Sequence, residues 1–203
     1  MREKEISRKT NETDIYVKLN LDGGGKEIAT DSGFFNHMLD LFAVHSGFGL
    51  TVRCKGDSEV DFHHTVEDVG IALGQAFAAA LGEKKGIARY ADIILPMDET
   101  LILCAVDISG RAHLNFDVEM PAAKVLDGDE THKPKSAGLF DSELAEEFYA
   151  AFVREAKITL HMKKLYGKNT HHIIEGTFKA FARVLSRAAA VVGGGVPSSK
   201  GTL

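Results

Sequence analysis

The stretch Leu50–Phe77, LTVRCKGDSEVDFHHTVEDVGIALGQAF, lies over Ile158–Leu185, ITLHMKKLYGKNTHHIIEGTFKAFARVL, without a gap. Thr51 meets Thr159, His63 meets His171, His64 meets His172, Glu67 meets Glu175 and Ala72 meets Ala180. Upstream, Asn11–Gly23 (NETDIYVKLNLDG) falls on Asp98–Gly110 (DETLILCAVDISG), aligning Glu12 with Glu99 and Thr13 with Thr100. Two units are too few for a solenoid, so the chain reads as an internal duplication. The copies divide near Leu81–Asp92, giving one domain over residues 1–203 made of repeats of about 1–90 and 91–203.

Period sets the elements within each copy. Ile15, Val17, Leu19 and Leu21 alternate with Tyr16, Lys18 and Asn20, the pattern of a half-buried strand, and Leu101–Ile108 is its counterpart. Leu50–Cys54 and Ile158–Met162 read as further strands, and helical spacing runs over Phe34–Val44 and Leu144–Val153. Each HH pair opens a long helix, with apolar stripes Val66, Val69, Leu73, Phe77, Ala80 and Ile174, Phe178, Phe181, Leu185. Gly193–Gly195 is expected to end the second of these, and Ala122–Ala137 to be a loop. Grouped strands followed by helices predict an α+β fold with the long helices on one face of a sheet.

Composition narrows the function. A net charge of -5 over 203 residues lacks the basic footprint of a nucleic-acid binder. The N-terminus, MREKEISRKT, is too charged for a secretory signal, and no apolar run approaches the length that spans a bilayer. Cys54 and Cys104 fall in strand-like apolar runs and read as buried thiols rather than a disulfide. A cytoplasmic protein is expected.

The chemistry is concentrated in the HH pairs. Neighbouring side chains on a helix diverge by about 100°, so His63 and His64 cannot readily chelate one ion. A glutamate three or four positions on shares a face with one of them. Duplicated, the motif offers His63, His64, Glu67, His171, His172 and Glu175. Imidazole with carboxylate and no cysteine suits octahedral Mn, Fe, Co or Ni better than structural zinc. Of the acids, Glu67 has a repeat partner and Asp68 does not, so Asp68 is expected to support a neighbouring histidine. Taken singly, His37, His45, His113, His132 and His161 read as ordinary surface or core histidines. Pro197–Gly201, PSSKG, has the hydroxyls and lysine to wrap a phosphate, and Arg89 and Arg111 add cations.

The combination of HHTVED, HHIIE, FFNHMLD, GEKKGIARYAD, SGR, TLHMKKLYGKNTHHIIEGTFKAFARVL and PSSKG resembles the imidazoleglycerol-phosphate dehydratase family of histidine biosynthesis over essentially the whole chain. The resemblance implies a duplicated fold like ribosomal protein S5 domain 2, each half a four-stranded sheet backed by helices. It implies a cytoplasmic homo-oligomer of 24 subunits with two Mn2+ ions per active site, built between neighbouring subunits. The implied metal ligands are His37, His63, His64, Glu67, Glu147, His171, His172 and Glu175. Glu147 stands where relatives often carry histidine, and Asn36 where many carry Asp, which alters the support available to His37. Implied substrate contacts are Glu12, the helix from His37 to His45 with Asp40, then Arg89, Arg111, Ser198, Ser199 and Lys200. No histidinol-phosphatase segment precedes these motifs, so a monofunctional enzyme is expected.

The implied reaction removes water from imidazole glycerol phosphate, and the C2 proton that must leave is not acidic enough for an ordinary base. Lewis acids on the substrate imidazole would relieve that difficulty. Glu12 is then the candidate for moving the C2 proton, with a ligand glutamate (Glu67 or Glu175) or metal-bound water as the alternative. Two other classes use the same ligands: a metal-dependent phosphate-ester hydrolase and a non-catalytic metal-binding assembly.

Overall fold

The computed structural model describes residues 2–126 and 139–201. In the first half, β1 (Glu3–Lys9) and β2 (Thr13–Asn20) form a hairpin, followed by β3 (Lys26–Ala29), α1 (Gly33–Ser46), β4 (Gly49–Gly56) and α2 (His63–Leu81). The second half repeats this with β5 (Tyr90–Met97), β6 (Thr100–Asp107), β7 (His113–Asp117), α3 (Leu144–Ala156), β10 (Thr159–Tyr166) and α4 (Thr170–Ala189). Between β7 and α3, a small pair, β8 (Lys124–Leu126) and β9 (Leu139–Asp141), is inserted. The sheets run β1-β2-β4-β3 and β5-β6-β10-β7, one topology used twice, as the duplication predicts. In each, the strand before the short helix lies parallel to the strand after it, as a helical crossover requires.

Alternation and helical period place the core as expected. Ile15, Val17 and Leu19 are buried on the inner face of β2, and Ile102, Cys104 and Val106 on that of β6. The predicted stripes of α2 and α4 are buried, with α2 packing on β2 and α4 on β6. Part of Ala122–Ala137 departs from the loop expectation, because backbone pairing with 139–141 makes 124–126 a strand; residues 127–137, with His132, lie outside the described residues. Cys54 and Cys104 are free and buried. Burial raises the Cys54 thiol to about 12 and lifts Cys104 further still.

The short helices are exchanged between halves. α1 packs against α4, with Phe42 5.7 Å from Phe181, and α3 packs against α2, with Phe152 5.6 Å from Phe77. The second contact is close because Gly70 and Gly74 leave room for it. A Cβ at Gly70 would lie 2.8 Å from the Phe148 carbonyl oxygen, and one at Gly74 2.6 Å from that of Phe152.

Register corrects the ungapped alignment. Leu50 faces Leu19 in β2, and Leu160 faces Val106 in β6. Leu50 therefore corresponds to Leu160, two residues beyond the Ile158 of the sequence match, and the offset is recovered in the shorter loop before α4. The shift extends back through the left-handed caps Gly47 and Lys157 that end α1 and α3. Counting back ten residues from each cap places Glu147 at the position of His37.

α4 ends at Ala189, short of the glycines expected to stop it. Gly193–Gly195 instead belongs to a tail pinned on the junction between the repeats. Ile87 bridges Val191, Gly86 N–H donates to the Gly195 carbonyl (2.7 Å), and Val192 N–H donates to that of Gly86 (2.7 Å). A Cβ on Gly86, at φ 69°, would lie 1.9 Å from the Gly193 oxygen, so the junction requires glycine there. This fastening brings Ser198–Lys200 to the second half.

Candidate active site and metal centre

Both HH pairs sit at helix starts and are set by the same local device. Asp61 Oδ1 accepts from His63 N–H (2.7 Å), and Asn169 Oδ1 accepts from His171 N–H (2.9 Å). Such side-chain oxygens satisfy the free N–H groups of a first turn. The rings splay as the helix geometry predicts: centroids are 6.0 Å apart at 89° in the first pair and 6.2 Å apart at 85° in the second.

The exchange of α1 onto α4 builds the first cluster. His37 Nε2 lies 3.7 Å from Glu175 Oε2, and His171 Nε2 lies 3.3 Å from the same atom. One ligand atom from each of these three residues lies within 4.8 Å of the others, an imidazole–carboxylate set that fits a divalent ion. His37, read singly as ordinary, thus belongs to the constellation. Burial pushes the Glu175 carboxyl up, but the Lys179 ammonium, 2.6 Å away, brings it below its ordinary value with help from His37 and His171. Burial lowers the pKa of His171 against the opposing pull of Glu175, which favours the neutral ring that can donate a lone pair.

Equivalence of Glu147 with His37, and of His63 and Glu67 with His171 and Glu175, marks out a second group where α3 crosses α2. It is less closely drawn together, because Glu67 turns to Arg154 (3.4 Å). His64 and His172 each point Nδ1 at a carboxylate: Asp57 at 3.0 Å and Glu99 at 2.8 Å. Hydrogen bonding by Asp57 raises His64, and that by His172 lowers Glu99 to about 2. Glu12 is exposed in the β1–β2 turn, its Oε1 3.8 Å from His64 Nε2.

The residues expected to bind the phosphate converge. Arg89, Arg111, Ser198, Ser199 and Lys200, with Tyr90 and Ser109, line a cleft of about 250 Å³. Arg89 is held in the left-handed region at φ 72° and braced by Asp107 (2.7 Å) and the Pro197 carbonyl (2.8 Å). It fixes the tail, while Arg111 and Lys200 leave the cleft cationic.

One expectation is corrected. Asp68 supports no histidine among its described contacts; buried on α2, it accepts from Arg8 of β1 and from Thr13 Oγ1 (2.5 Å), anchoring the hairpin that carries Glu12. Asn36 turns its amide to the backbone of Thr30, accepting at 2.7 Å and donating at 3.2 Å. Asp40, expected to contact substrate, pairs with Lys26 beside β3. His45 lies partly buried on α1, and burial together with Lys179 and Arg183 lowers its pKa. Asp57 and Arg154 carried no sequence signal, since their partners come together only through folding, whereas Lys179 carried one in its i,i+4 spacing from Glu175 on α4. Glu99 did carry one, its match to Glu12.

The family model for imidazoleglycerol-phosphate dehydratase matches residues 30–185. An imidazoleglycerol-phosphate dehydratase of Caldicellulosiruptor saccharolyticus is 51% identical over 200 residues, covering 98% of this chain and 97% of that protein. The crystal structure of the Staphylococcus aureus enzyme superposes with a TM-score of 0.79 at 39% identity, over 92% of this chain and 97% of that one. That of the Pyrococcus furiosus enzyme gives 0.79 at 35% identity, over 98% and 100%.

Proposed function

The chain belongs to the imidazoleglycerol-phosphate dehydratase family of hydro-lyases in histidine biosynthesis, and from that premise we propose that it dehydrates D-erythro-imidazole glycerol phosphate to imidazole acetol phosphate at a two-Mn2+ site. The observation that carries this reading is the meeting of His37, His171 and Glu175 across the exchanged helices. His63, His64, Glu67, Glu147 and His172 are the remaining ligands, supplied to sites shared with neighbouring subunits. The gathering of only three of the eight ligands in one protomer supports a closed homo-oligomer, with 24 subunits expected. Bound there, Mn2+ supplies Lewis acidity toward the substrate imidazole.

The residues of the chain do the rest. Arg111, Lys200, Ser198 and Ser199 hold the phosphate by charge-assisted hydrogen bonds while Arg89 fixes the tail. Glu12 moves the C2 proton. The C3–O bond breaks with loss of water, and the resulting enol relaxes to the ketone. Free buried thiols, and the absence among the described residues of a helix long and apolar enough to cross a membrane, are compatible with the cytoplasm.

Incubation of Mn2+-loaded protein with imidazole glycerol phosphate tests the reading. Loss of water without release of phosphate is expected. Phosphate release would make the protein a hydrolase, and no turnover would leave a metal-binding assembly.

A further inference from the structure

His64 and His172 each meet a carboxylate at Nδ1, at 3.0 Å and 2.8 Å, yet the two carboxylates are not repeat equivalents. Asp57 lies in the loop between β4 and α2. Glu99 lies in the turn between β5 and β6, where its equivalent in the first half is Glu12. The loop before α4 is shorter, Gly167–Asn169, and offers no carboxylate of its own. Duplication therefore reaches one contact by two routes, and common descent of the residues does not account for it.

A carboxylate only accepts, so each ring must donate from Nδ1, which leaves the Nε2 lone pair free in the neutral imidazole. We infer that Asp57 and Glu99 are positioning residues that lock His64 and His172 in the tautomer presenting Nε2 to a divalent cation. The inference rests on the metal-binding reading above. It also accounts for the divergence of the duplicated glutamate. With Asp57 on Nδ1 of His64, Glu12 is released to the Nε2 side, 3.8 Å away, where a reacting molecule is handled. Glu99, with no such substitute, stays on Nδ1 of His172.

Glu99 gives an unusually clean substitution. One oxygen accepts from Asn169 N–H (2.9 Å) and Lys168 N–H (3.4 Å), and the other from His172. In Glu99→Gln the amide oxygen can keep the backbone groups at the start of α4, but its NH2 then faces His172 and demands the opposite tautomer. Asp57→Ala removes the other acceptor outright.

The test measures Mn2+ affinity of the intact protein by competition with a chromophoric chelator, and ring tautomers by 15N NMR in excess chelator. Asp57→Ala and Glu99→Gln are expected to weaken Mn2+ binding by about 10–100-fold, the usual cost of losing a group that supports a ligand. The 15N spectra should lose one fixed Nδ1–H ring in each variant, and Glu99→Asp should restore part of the affinity. The NMR measurement needs no metal, so it reads the tautomer independently of the metal reading. Wild-type affinity in both variants, or unchanged tautomers, would overturn the positioning role alone. Failure of the wild type to bind Mn2+ would overturn the metal reading and this inference together.

Discussion

His37 of the first repeat stands 3.7 Å from Glu175 of the second, because each repeat lays its short helix on the long helix of the other. The cluster of His37, His171 and Glu175 is thus a consequence of the exchange and belongs to neither half. His37→Ala and Glu175→Gln should each weaken Mn2+ binding by more than the roughly 10–100-fold expected for a supporting group. Calorimetric titration checks this, and unchanged affinity in either variant would remove that residue from the ligand set.

The same exchange depends on Gly74. Gly74→Ala puts a methyl group 2.6 Å from the Phe152 carbonyl oxygen and 2.9 Å from Glu155 Cβ, so α2 and α3 must part. Overpacking of this kind costs about 1–3 kcal/mol. Urea denaturation should show the loss as a lower midpoint with an unchanged slope. The corresponding position of α4 is already alanine, at Ala182, so the α1–α4 contact does not need the same clearance.

Asp68→Ala should cost about 1.5–3 kcal/mol, the range for losing hydrogen bonds to a charged group. It frees both Arg8 and Thr13, which fasten the hairpin bearing Glu12. Turnover should fall with the substrate KM little changed, since the cleft proposed to hold the phosphate lies on the other half. Steady-state kinetics separates the two effects.

The Glu99 carboxyl is held at about 2, chiefly by His172, with the N–H of Asn169 adding to the effect. A folded-state value below the unfolded one contributes stability that is complete above the ordinary carboxylate value of 4.5 and is lost as pH falls toward 2. Glu99→Gln should therefore melt below the wild type at pH 6, with the difference shrinking through pH 4 and closing near pH 2. A difference independent of pH would show that the carboxylate charge is not what matters.

Thiol reactivity gives a further check on the core. With Cys54 raised to about 12 and Cys104 higher still, neither forms thiolate at pH 8. Ellman's reagent should modify both only on unfolding, so thiol release should track the denaturation curve.

The sequence by itself determined the duplication, the α+β class and the HHxxE pairs, because periodicity and repetition are properties of the chain. It also marked Arg89, Arg111 and Ser198–Lys200, which folding brings to one cleft. It could not determine strand register. A shift of two residues keeps the same side chains on the same face, so Leu50 matched Ile158 as plausibly as Leu160. That shift decides that Glu147 is the counterpart of His37. Nor could it determine partners across the fold. Asp68 faces Arg8, Arg154 holds Glu67, and Asp57 takes from Glu12 the place that Glu99 keeps. Those choices were left to the tertiary structure, because they depend on which helix face meets which turn once α1 and α3 have crossed to the opposite halves.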